Sequence, residues 1–101
     1  MKNKILPLLI LVMGVSVSAF SQNYKKQQAS QERVIRASYS RHKVTQNEYE
    51  KLMNEQDKIK YAIEKYEADG VWTPHERNVL ADLLNKAERR LKKYRHNGEV
   101  Y

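Results

Sequence analysis

The chain has 101 residues, no cysteine, and 19 Lys and Arg against 12 Asp and Glu, a formal net charge of +7. The missing cysteine excludes a disulfide framework, a lipoprotein anchor and any thiolate-based zinc site. At this size a single core is marginal, so stability has to come from helix packing, a metal or a partner.

Met1 to Lys4 form a short positive region, and Ile5 to Val17 are apolar apart from Pro7, Gly14 and Ser16; small residues follow at Ser18, Ala19 and Ser21. This is the layout of a secretory signal peptide over residues 1–21. The apolar stretch is about 13 residues, short of the roughly 20 that cross a bilayer as a helix. Cleavage before Gln22 is preferred over cleavage before Phe20, and either gives a periplasmic or secreted protein that meets the membrane only through its signal. Loss of Lys2 and Lys4 leaves 17 of the 19 basic residues against 12 acidic ones, a net +5. Residues 22–29 read as a flexible N-terminus.

The remainder holds two glycines, Gly70 and Gly98, and one proline, Pro74, in a sequence rich in Lys, Glu, Arg, Gln and Ala. Few breakers among good helix formers predict long helices. Shifting the sequence by 28 residues lays "HKVTQNEYEKL" (42 to 52) on "GVWTPHERNVL" (70 to 80), so that Thr45 meets Thr73, Glu48 meets Glu76, Leu52 meets Leu80 and Val44 meets Trp72. Ile35, Ile63 and Leu91 share one register position, and Tyr66 and Tyr94 another. Such a period marks a repeated helical unit whose apolar face neighbours must cover.

In chain order, "SQERVIRASYS" predicts a short helix over about 30–40. The second helix, 46–67, opens at a Thr45-x-x-Glu48 box, in which the hydroxyl caps an amide and the carboxylate reaches back. Its apolar series is Tyr49, Leu52, Met53, Ile59, Ile63 and Tyr66, with Val44 placed to staple against Tyr49. The third helix, 74–96, opens at Thr73-Pro74-x-Glu76, with Pro74 in the first turn, where its missing amide costs nothing. Val79, Leu80, Leu83, Leu84, Ala87, Leu91 and Tyr94 form its stripe. Gly70 and Gly98 are placed to close the second and third helices in the left-handed conformation, leaving 97–101 as a tail. Tyr61 falls off the stripe, and Tyr24 and Tyr101 are expected to be mobile. Short links make successive helices antiparallel. The expectation is an all-α, up-down-up three-helix domain built on a helical hairpin with an internal 28-residue repeat.

"ADGVWTPHE" resembles the Ala-Asp-Gly-x-x-Thr-x-x-Glu turns of small exported bacterial helical proteins, which look like degenerate EF-hands. In that frame Gly70 is the sixth loop residue, Trp72 the eighth and Glu76 the twelfth, but Lys65 stands where the first carboxylate belongs. Glu67, Asp69 and Glu76 remain as weak calcium candidates. A capped turn explains Gly70, Thr73, Pro74 and Glu76 without an ion, so no metal and no cofactor is expected. The repeats "VTQNEYEKL" and "WTPHERNVL" also resemble, more weakly, the Leu-Thr-x-x-Gln repeats of the Spy and CpxP periplasmic chaperones, with Glu48 and Glu76 in place of the Gln.

His42, His75 and His96 have neither helical pair spacing nor companions for zinc, and no nucleophile stands with a base and an orienting partner. The chain is therefore not expected to be an enzyme. Its most polarised stretch is "KAERRLKKYRH" (86 to 96), in which Lys86, Arg89, Arg90, Lys92, Lys93 and Arg95 outnumber Glu88. Cations there suit the helix dipole and also make a patch for an anionic partner. Export makes nucleic acid the wrong partner. The expected function is an exported interaction module that holds an anionic envelope component or a protein partner through this basic helix. The alternatives are a Spy-like or CpxP-like holdase and a weak calcium binder, and a homodimer is compatible with a domain this small.

Overall fold

The computed structural model describes residues 19–100, with side chains through His96. Most of the expected signal peptide, and Tyr101, lie outside the described residues. The described chain is three helices and no strand: α1, Ala19–Ser40; α2, Gln46–Glu67; and α3, Pro74–Val100. Each packs against both others.

Two expectations need correction. Residues 22–29 are not a flexible terminus, because α1 runs unbroken from Ala19 and doubles the helix expected over 30–40. Nor does Asn97-Gly98 close the last helix, because α3 continues to Val100, through what was expected to be a tail.

Side-chain pairs set the directions. At one end of the bundle, Ser21 donates to Glu67; at the other, Tyr39 stacks on Tyr49 with ring centroids 4.3 Å apart. Helices α1 and α2 are therefore antiparallel. The Tyr24 hydroxyl donates to the Arg77 carbonyl at 3.4 Å and the Gln31 amide to the Leu84 carbonyl at 2.9 Å, both across 53 residues. A constant offset means that α1 and α3 run parallel. The result is the expected up-down-up bundle.

The apolar stripes bury in two clusters. One joins Ile59, Ile63, Trp72, Leu80, Leu84 and Ala87; the other joins Ile35, Val44, Leu52 and Leu91, with Tyr49, Met53 and Tyr94 against it. Full burial of each large aliphatic side chain contributes about 1.5–3 kcal/mol. Val44 and Trp72, equivalent in the repeat, both fill the space beneath the start of the helix they precede. Trp72 lies 5.2 Å from Tyr24 and edge-on to Tyr66 at 5.8 Å. Tyr24, expected to be mobile, is thus a half-buried core residue.

Between the clusters lies a polar layer. Gln28 and Gln56 are buried, and the Gln28 amide donates to the Gln56 side-chain carbonyl at 2.9 Å. Gln56 in turn donates to Gln31 at 3.0 Å, and Gln31 to the Leu84 carbonyl at 2.9 Å. Buried amides are tolerated when their donors and acceptors are matched. This chain of bonds touches all three helices.

Both threonine boxes form. Thr45 Oγ1 accepts from the Glu48 amide at 3.1 Å while the Glu48 carboxylate accepts from the Thr45 amide at 2.9 Å. Thr73 and Glu76 repeat the exchange, at 3.1 Å both ways. The repeat extends to the backbone. Gly70 has φ +75°, and its equivalent in the repeat, His42, is left-handed too at φ +59°. His42 closes α1 in a Schellman turn, with its amide on the Tyr39 carbonyl and the Lys43 amide on the Ser38 carbonyl. A β-carbon is strained in this conformation. We therefore expect His42→Gly to raise stability by about 0.5–1 kcal/mol and Gly70→Ala to lower it by about 1 kcal/mol, read as opposite shifts of the urea midpoint at constant slope.

Candidate functional site

The Asp69-Gly70 turn carries Asp69 and lies between Glu67 and Glu76, the other two calcium candidates. Asp69 Oδ1 accepts from the Val71 amide at 3.0 Å, an Asx turn. Glu67 is held by Ser21 and by Lys25, the latter at 2.9 Å, and Glu76 is engaged in its capping box. The Ser21 hydroxyl first, then the Lys25 ammonium, holds the Glu67 carboxyl below its usual range. The turn does not gather the three carboxylates, and no group of three or more His, Asp or Glu among the described residues is placed to hold a metal ion. Gly70, Thr73, Pro74 and Glu76 act as the capped turn requires. His42, His75 and His96 are all exposed.

The six cations of residues 86–96 divide. Lys86, Arg89, Arg90 and Lys93 line one shallow groove together with Tyr94. Lys86 pairs with Asp82 at 3.1 Å, one turn back on an exposed face, and Arg90 lies 3.7 Å from Glu55 of α2. Arg89 and Lys93 meet no acid among the described residues. Exposed pairs such as Lys86–Asp82 contribute at most about 1 kcal/mol, so Lys86 remains available to a stronger anion. Lys92 stands apart, near Glu88 at 3.9 Å. Arg95 points to the opposite side of α3, into a second groove shared with Val34, Ala37, Ser38, Arg41 and Lys43.

That second grouping was not apparent from the sequence, because Arg41, Lys43 and Arg95 come from distant stretches. Only the parallel packing of α1 on α3, with its 53-residue offset, joins them. The glutamines of the polar layer were missed as well, although Gln28 and Gln56 are separated by the period of the repeat, which could have marked them.

Compared with protein-family models, with curated proteins and with solved structures, the chain matches none. No helix of the described residues is long and apolar enough to cross a membrane.

Glu32 ties the surface to the polar layer. It accepts from Lys60 of α2 at 2.8 Å, from Arg36 at 2.8 Å and from Gln28 at 2.9 Å. These bonds, Lys60 first, lower its pKa from 4.5 to about 2. A carboxylate with a depressed folded-state pKa contributes stability that is complete above its unfolded value and is lost as pH falls through the folded one. The expected result is a thermal midpoint that falls as pH drops from 4.5 to about 2, with Glu32→Gln flattening that part of the profile.

Proposed function

We propose that this chain is an exported, non-enzymatic interaction module that holds an anionic component of the cell envelope against the outer face of α3. The observation that carries the reading is the convergence of Lys86, Arg89, Arg90 and Lys93 on one groove, where two of the four cations meet no acid. Tyr94 supplies a ring at the edge of the groove, suited to the carbon skeleton of a lipid headgroup or a sugar. The N-terminal layout supports an extracytoplasmic partner.

The helix dipole does not require this charge. The dipole of α3 acts within its last turn, and α3 continues past His96 to Val100, so Lys86, Arg89 and Arg90 lie too far back to serve it. The exposed large apolar residues, Phe20, Val34, Tyr39, Tyr61 and Val71, are spread over two helices and a turn. A charged recognition surface accounts for the molecule better than an apolar client-binding face would.

A cation near an anionic surface contributes about 1 kcal/mol, screened over a Debye length of roughly 10 Å at 0.1 M salt. The triple variant Lys86→Gln, Arg89→Gln, Lys93→Gln should therefore bind phosphatidylglycerol vesicles on the order of 100-fold more weakly than the unaltered protein. Phosphatidylcholine vesicles should retain neither protein. Equal sedimentation of variant and parent with the anionic vesicles would remove this face from the function.

A further inference from the structure

The second groove carries an inference separate from the outer face of α3. It lies between the C-terminal half of α1 and the distal part of α3. Val34 and Ala37 contribute apolar surface, and Arg41, Lys43 and Arg95 contribute three cations. Val34 is 37% exposed, a large apolar side chain left open beside charge.

Arg95 is the decisive residue. It is half-buried, and its Nε is buried without any acceptor. A buried guanidinium donor is ordinarily satisfied, and leaving one unmatched is costly. No acid among the described residues pairs with Arg95 or with Arg41. The nearest structural duty would be to cap α1, but that duty is already filled. The carbonyls of Ala37, Ser38 and Tyr39 accept from the backbone amides of Arg41, Lys43 and His42. The guanidinium groups are left over.

We propose that this groove is a discrete site for a single phosphate group, with Arg95 donating from the floor, Arg41 and Lys43 closing around it, and the esterified carbons resting on Val34 and Ala37. Phosphate fits better than carboxylate because cations approach from two directions, Arg95 from α3 and Arg41 and Lys43 from the turn that follows α1, whereas a planar carboxylate is saturated by one guanidinium fork. The phosphate could belong to a lipid headgroup or to a free phosphate ester, and the test separates the two.

The protein is titrated with inorganic phosphate, glycerol 1-phosphate and monomeric dihexanoyl phosphatidylglycerol while amide and arginine Nε–H resonances are followed. The expected result is saturable shifts confined to Val34, Ala37, Ser38, Arg41, Lys43 and Arg95, strongest with an esterified phosphate. Tighter saturation by the short-chain lipid assigns a headgroup, and tighter saturation by glycerol 1-phosphate a soluble ester. Arg95→Gln should weaken binding by about tenfold or more and Arg95→Lys nearly as much, because the fork is lost; Lys93→Gln should change it less than about threefold. If Arg95→Gln does not fold, Arg41→Gln, at an exposed position, is expected to weaken binding likewise. Shifts spread evenly along the basic side of α3, or Arg95 and Lys93 variants that behave alike, would overturn the site. Because the outer-face variant leaves Arg95 intact, either reading can fail without the other.

Discussion

A chain of three glutamine amides crosses the middle of the bundle, and the alignment of the helices depends on it. Gln28 reaches Gln56, Gln56 reaches Gln31, and Gln31 reaches the Leu84 carbonyl. Apolar stripes alone allow neighbouring helices to slide by one turn with little loss, since leucine-like side chains pack interchangeably. A buried amide does not slide without leaving donors and acceptors unmatched, which costs about 1–3 kcal/mol for each group. The layer thus plays the part that a single buried polar residue plays in fixing coiled-coil register. Glu32 extends it to the surface by holding Gln28, Arg36 and Lys60 at once.

Placement of the charged groups follows from that register. The 53-residue offset between the parallel helices α1 and α3 brings Arg95 beside Arg41 and Lys43 and turns it away from Lys86, Arg89 and Lys93. One basic run in the sequence therefore becomes two surfaces of different character. The outer groove is broad and exposed, suited to diffuse attraction of a polyanion. The inner groove sets two apolar residues beside three cations and an unsatisfied buried donor, suited to one small group. Slippage of α3 by a turn would dissolve the inner groove, which combines α1, the turn and α3, while leaving the helix content and the outer groove of α3 unchanged.

What the sequence disclosed, and what it hid, follows from how each element is stabilised. Helices α2 and α3 begin at threonine boxes and bury aliphatic stripes, so their starts at Gln46 and Pro74 were readable to the residue. The repeat was readable for the same reason, because caps and leucines recur at fixed spacing. The first half of α1 carried no such signal. Its inward positions are Ser21, Tyr24, Gln28 and Gln31 rather than aliphatic residues, so hydropathy showed no period over 22–29 and the stretch resembled a solvated terminus. The left-handed residue at 42 was obscured by being histidine rather than glycine. The Asp69-Gly70 turn keeps its glycine and its cap while the nearby carboxylates serve Lys25, the Val71 amide and the Thr73 amide.

The most direct measurement on the role of the amide layer compares two variants in urea denaturation. Gln56→Leu keeps the volume and takes one partner each from Gln28, which loses an acceptor, and Gln31, which loses a donor; Gln28→Leu, Gln31→Leu, Gln56→Leu removes the whole layer. The account predicts that the single variant loses about 1–3 kcal/mol. The triple variant should recover stability but show broadened or doubled amide resonances, because register is no longer fixed. A single variant as stable as the parent, or a triple variant with one sharp set of resonances, would contradict it.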